Sequence, residues 1–188
     1  NKGKVSEIAD LLGPYVDKFY SAIELDLPEP EETETTFEGN ALLKARSAAK
    51  HSGKASLADD SGICVNALNG DPGIYAARWA EKPDGSGRDF NLAMEKVHEA
   101  LGDSEDRSAY FICVLALVTP EGEEYVFEGR VNGQITWPMR GEKGFGYDPV
   151  FIADGYDVTF AEMEPQAKHA ISHRANAFEK LVGNIFTN

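Results

Sequence analysis

Residues 108–119 form one long run of β-branched and aromatic residues, and such a run must lie in an extended strand. Pro120-Glu121-Gly122-Glu123 then turns the chain, and residues 125–131 return as a hairpin partner, with 134–136 extending the sheet. Helical and extended patterns alternate around this hairpin. Residues 3–12 are helical and closed by Gly13-Pro14. Thr35-Thr36-Phe37-Glu38 has the spacing of a capping box and opens a helix to about His51, with Gly53 just beyond it. Phe37, Ala41, Ala45, Ala48 and Ala49 make its apolar stripe, and Asn40 and Lys44 lie four apart along one edge.

Short strands are expected at 55–58 and 63–68, with Asp59-Asp60-Ser61-Gly62 as a tight turn between them. Asn69-Gly70-Asp71-Pro72-Gly73 is a turn cluster, and residues 88–101 are a helix ended by Gly102. A glycine-rich loop, 141–146, leads into Tyr147-Asp148-Pro149 and a strand at 150–153. The final helix covers about 173–186, with Ser172 as its N-cap. Interleaved helices and strands of this kind predict an α/β fold with a mixed sheet, arranged as one domain over 1–188 with two lobes.

Charge narrows the function. The 188 residues carry 32 acidic and 18 basic side chains, a net charge of −14. That surface repels a nucleic-acid backbone, so a polymer partner is not expected. A small phosphorylated ligand needs a local basic pocket and a bridging metal to offset the global field. No stretch approaches the roughly 18 apolar residues needed to span a bilayer. No signal peptide is visible, and the chain opens on Asn1 rather than Met. Cys64 and Cys113, each inside an apolar run, are expected to be buried free thiols of a protein in a reducing compartment.

Five short segments could carry chemistry. Asp59-Asp60 at the end of a strand suits a hard-metal site; because neighbouring strand residues point to opposite faces, one carboxylate faces the cation and the other orients it or the turn. An acidic turn would look the same. Glu31, Glu32 and Glu34 could supply a second carboxylate, or form a solvated charge run. Asn1-Lys2-Gly3-Lys4 at a helix start offers backbone N–H groups and two lysines to an anion, although a basic N-terminus also arises by chance. Gly144-Phe145-Gly146-Tyr147-Asp148 combines glycine backbone, two aromatics and a carboxylate, which can stack on a base and bind its edge, or simply anchor a turn. Ser172-His173-Arg174 puts cations where the helix dipole opposes them, so they need an anion, a base or solvent nearby.

The order of these segments resembles the inosine triphosphate pyrophosphatases, also called non-canonical purine or dITP/XTP pyrophosphatases. Asn1-Lys2-Gly3-Lys4 is similar to the end of that family's opening loop, Thr/Ser-Gly-Asn-x-Gly-Lys. Thr36-Phe37-Glu38-Gly39-Asn40-Ala41, Ala58-Asp59-Asp60-Ser61-Gly62, Gly73-Ile74-Tyr75-Ala76-Ala77-Arg78, Phe145-Gly146-Tyr147-Asp148-Pro149 and Ser172-His173-Arg174 follow in the family's order. The resemblance covers nearly the whole chain. It implies an elongated two-lobed α/β fold with a nucleotide cleft between the lobes, a homodimer and a cytoplasmic location. It also implies Mg²⁺-dependent hydrolysis of ITP, dITP and XTP to the monophosphate and pyrophosphate. By that resemblance Asp60 is the general base, Glu32 and Asp60 serve the Mg²⁺, and Asn1, Lys2, Lys4 and Lys44 hold the triphosphate. Ser61 contributes to substrate binding, and Phe145, Gly146, Tyr147, Asp148, Lys168, His173 and Arg174 surround the base. A general metal-dependent phosphatase and a non-catalytic nucleotide-binding protein are the alternatives.

Overall fold

The computed structural model describes residues 1–186. Its regular elements are α1 (Lys2–Leu12), α2 (Phe37–Ser52), β1 (Ser56–Val65), α3 (Phe90–Leu101), β2 (Ser108–Val118), β3 (Glu124–Ile135), β4 (Phe151–Ala153), α4 (Pro165–His169) and α5 (His173–Ile185). The strands form one four-stranded sheet in chain order, β1-β2-β3-β4. It is antiparallel where a mixed sheet is expected from the sequence. The two expected strands at 125–131 and 134–136 are a single strand, whose end pairs Gly133 with Ala153 and Ile135 with Phe151. Gly133 allows this approach, because a Cβ there would sit 2.2 Å from the Ile152 carbonyl oxygen.

A second difference bears on the site. Residues 55–58 and 63–68 are not two strands around a turn: β1 runs without a break through Asp59-Asp60-Ser61-Gly62. The acidic pair therefore keeps the alternation of a strand, which a turn would have destroyed.

The chain divides into two compact units. The first comprises residues 1–60, 113–129 and 173–188, and the second comprises 61–112 and 130–172. In the first unit, Cys113 and Leu115 of β2 pack with Ala177, Phe178 and Leu181 of α5, bordered by Leu11, Leu12, Leu57 and Phe127. α2 contributes its alanine stripe, with Ala41, Ala45 and Ala49 all buried. α2 begins one residue later than a Thr35–Glu38 box requires: Thr36 is the N-cap and accepts from the Gly39 N–H at 3.0 Å. In the second unit, Ile63, Val65, Met94, Val97, Phe111, Phe151 and Phe160 make a larger core. There the Phe111, Phe151 and Phe160 rings meet with centroids 4.6–5.8 Å apart.

Candidate active site

In the first unit, four elements converge on Asp59 and Asp60. Asp59 is buried, and its carboxylate collects donors from three of them. Arg174 Nε of α5 donates to Oδ2 at 2.7 Å, and the Cys113 thiol of β2 donates to the same oxygen at 3.1 Å. Lys4 Nζ of α1 lies 3.3 Å from Oδ1. The fourth element, α2, sends Lys44 Nζ to the Asp59 backbone carbonyl at 2.6 Å. Burial opposes ionisation of Asp59, but the Arg174 guanidinium and the Lys4 ammonium outweigh it and hold the carboxyl well below the usual carboxylate range. The Arg174 guanidinium is also clamped by Glu7 of α1 and is almost fully buried. Burial works against its charge too, yet Asp59 and Glu7 hold its pKa above the ordinary arginine value. The sequence raises the question of why a cation stands where the α5 dipole opposes it. Two buried carboxylates within the protein answer it.

Asp60 points away from this network, as strand alternation requires. Lys44 Nζ lies 3.6 Å from its Oδ1 and 3.1 Å from Glu32 Oε1, so one ammonium bridges the two carboxylates. Asp60 Oδ2 is buried and, among the described residues, makes no hydrogen bond. Burial drives the Asp60 carboxyl up to about 6, with Lys44 and Lys4 pulling the other way and Glu32 and Asp59 adding to the rise. Lys44 is raised despite its own burial, because Asp60 and Glu32 favour its charge.

Glu32 is the half-buried member of the acidic run, whereas Glu31 and Glu34 are exposed. The run is held against α2 by Asn40, whose side chain accepts from the Glu34 N–H at 3.0 Å and donates to the Glu34 carbonyl at 3.4 Å. Gly39 makes room for that passage, since a Cβ there would lie 2.9 Å from Glu34 Cβ. Asn40, Gly39, Glu7 and Cys113 are thus parts of the site that sequence reasoning did not assign to it. The buried edge position of Asn40 on α2 is the one available signal.

At the start of α1, Asn1 is the N-cap, and its side chain accepts from the Gly3 N–H at 2.9 Å and the Lys4 N–H at 3.3 Å. Lys2 is exposed, Lys4 is half-buried against Asp59, and Ser61 is half-buried next to Asp60 in β1. His173 is buried in the first turn of α5.

In the second unit, the loop 144–148 closes on Asp148, which is buried. Asp148 Oδ2 accepts from the Phe145 N–H at 3.0 Å and from Lys168 Nζ of α4 at 2.7 Å. The Lys168 ammonium sits 4.7 Å from the Phe145 ring centroid. Gly144 has φ +71, and a Cβ there would fall 2.2 Å from Asp148 Oδ2, so only glycine fits. Tyr147 is buried and donates its hydroxyl to the Ala76 carbonyl at 2.5 Å, and burial raises its pKa. Asp89, Phe90, Met94 and Pro149, with the loop from Gly141 to Gly146, line a cavity of about 170 Å³.

The arrangement contains a poised carboxylate, two ammonium groups and a second carboxylate on the first unit, and an aromatic–cation loop on the second. The donor set fits a hard divalent cation. A buried carboxylate oxygen that accepts no hydrogen bond among the described residues, beside a second carboxylate, suits a cation. Among the described residues no cluster of three or more His, Cys, Asp or Glu could cage a metal. The remaining positions around the ion would fall to water and substrate phosphate, which is how Mg²⁺ is commonly held.

The chain is similar to known proteins over nearly its whole length. The family model described as the Ham1 family matches residues 1–184. A dITP/XTP pyrophosphatase of Rhodospirillum centenum is 58% identical over 189 residues, covering 99% of this chain and 91% of that protein. A dITP/XTP pyrophosphatase of Caulobacter vibrioides is 55% identical, covering 99% and 94%. The solved structure of a HAM1 protein from Coxiella burnetii superposes with a TM-score of 0.87 at 41% identity, covering 99% of this chain and 94% of that one.

Proposed function

Because the chain belongs to the Ham1 family, we propose that it hydrolyses non-canonical purine nucleoside triphosphates (ITP, dITP and XTP) to the monophosphate and pyrophosphate. The observation that carries this reading is Asp60: a buried carboxyl raised to about 6, with one oxygen unpartnered, beside Lys44 and Glu32. The difficulty in hydrolysing a phosphoanhydride is to bring water to a phosphorus already surrounded by negative oxygens. Glu32 and Asp60 would hold Mg²⁺, which supplies neutralisation of the phosphate oxygens and lowers the pKa of water. Lys4 and Lys44 reach into the same cluster and offset the charge of the triphosphate. Asp60 takes the proton of the attacking water as the new oxygen–phosphorus bond forms at the α-phosphate. The bond to the β-phosphate breaks, and pyrophosphate leaves.

We assign the base to the loop around Asp148. Phe145 presents a ring for stacking, and Lys168 is a donor only. A donor suits the 6-oxo group of hypoxanthine or xanthine and faces another donor in the 6-amino group of adenine. The Phe145 N–H is already taken by Asp148, so the preference rests on Lys168 rather than on that amide. The same reading makes the protein a cytoplasmic homodimer that acts on the nucleotide pool. Light scattering at micromolar concentration is expected to give about twice the 20.5 kDa chain mass; a mass near that of one chain rejects the dimer. The reaction is checked by chromatography of products from ITP with Mg²⁺. Monophosphate with pyrophosphate supports the reading, and diphosphate with orthophosphate removes it.

A further inference from the structure

Cys113 lies in the middle of β2, fully buried, with Leu115, Ala177, Phe178 and Leu181 as its apolar neighbours. By composition it is a core thiol. Its sulfur nevertheless lies 3.1 Å from Asp59 Oδ2, the oxygen that also accepts from Arg174 Nε at 2.7 Å. We propose that Cys113 is a positioning residue for hydrolysis, whose thiol proton, donated to Asp59 Oδ2, fixes the carboxylate that holds Lys4 and Arg174 in place. The inference rests on the proposed function, because it concerns the geometry in which that reaction runs.

Asp59 offers one oxygen to Lys4 and the other to Arg174. Both cations reach it from the ends of long side chains, Arg174 being clamped on its other side by Glu7. A thiol one rotatable bond from the backbone of a central strand is a shorter and stiffer link between the carboxylate and the sheet. Cys113 occupies this place on β2, the strand that pairs with β1, where Asp59 sits. Asp59 is the residue before Asp60, and its own carbonyl accepts from Lys44. The Asp59 side chain thus meets Lys4 and its carbonyl meets Lys44, one residue before Asp60.

The thiol acts as a donor only: burial and the Asp59 charge together keep it protonated. A valine at this position fills the space without donating. A serine donates from slightly farther back, because the C–O bond is shorter than the C–S bond. Comparing the two separates hydrogen bonding from packing.

The experiment measures kcat and KM for dITP with Mg²⁺ in the wild type, Cys113→Val and Cys113→Ser, with melting temperatures alongside. A second readout is the Raman S–H stretch in a Cys64→Ala background, where Cys113 is the remaining thiol. The expected result is a fall in kcat of about three- to tenfold for Cys113→Val with KM within twofold. Cys113→Ser should recover most of that loss even if it melts at a lower temperature than the valine variant. The S–H stretch should lie at the frequency of a hydrogen-bonded thiol and move toward the free value in Asp59→Asn. Serine and valine variants of equal kcat, or an S–H stretch at the free position, overturn the inference and leave the proposed function standing. A wild type that releases no pyrophosphate from dITP overturns the proposed function itself, and the inference with it.

Discussion

Asp59 and Asp60 are consecutive in the chain and electrostatically opposite. Asp59 is held ionised by Arg174 and Lys4, while burial raises Asp60 to about 6. The two carboxyls therefore pull stability in different directions with pH. For Asp59 the folded-state pKa is depressed, so its contribution is present at neutral pH and is lost as pH falls below the ordinary carboxylate range. Asp59→Asn removes one of the two carboxylates that pair with the buried Arg174 guanidinium and retains Glu7. It is expected to cost about 3–5 kcal/mol in urea unfolding at pH 7; a loss under 1 kcal/mol would show that Glu7 alone compensates Arg174. For Asp60 the folded-state pKa is raised, so the folded protein binds the proton more tightly than the unfolded chain between about pH 4 and 6. Stability falls as pH rises through that window. Asp60→Asn should then melt above the wild type at pH 7.5 in chelator, and the difference should vanish toward pH 4. The same substitution should lower kcat by about 10²–10⁴-fold, the usual worth of a general base. An asparagine variant within threefold of wild-type kcat assigns the proton to another group.

Secondary elements explain what the sequence could and could not disclose. The alanine stripe of α2 and the long strand β2 follow from periodicity, because apolar spacing is a local property. The continuity of β1 does not. Asp-Asp-Ser-Gly has turn chemistry, and the ladder overrides it because the carboxylates find partners on the neighbouring α2 and on α1, β2 and α5, which lie far away in sequence. Arg174 is legible as a cation in an unfavourable dipole, but its partner Glu7 is 167 residues distant, and no spacing rule reaches that far. The edge position of Asn40 on α2 is legible in the sequence, but its partner is not. Asn40 ties the Glu34 backbone to α2 and so sets where Glu32 stands. Residues that support a metal ligand in this way typically contribute 10–100-fold to metal affinity. Asn40→Ala is expected to raise the Mg²⁺ concentration for half-maximal pyrophosphate release by about that factor, with little change at saturating Mg²⁺. An unchanged Mg²⁺ dependence would mean that Glu32 is placed without Asn40.

For the molecule as a whole, a net charge of −14 confines anion chemistry to a few compensated places. Lys4 and Lys44 supply it on one unit and Lys168 on the other, and each is paired with a carboxylate in the structure. Those pairs hold the lysines in position and also compete with phosphate for them. Membership of the Ham1 family fixes what the chain is related to, whereas the choice of base is a matter of these particular donors. Its most direct test is kcat/KM for ITP, XTP and ATP under one Mg²⁺ condition, with products resolved by chromatography. Monophosphate and pyrophosphate are expected from all three, with ITP and XTP favoured over ATP by about 10²–10⁴-fold. ATP hydrolysed as efficiently as ITP, or orthophosphate as the released anion, would contradict that expectation.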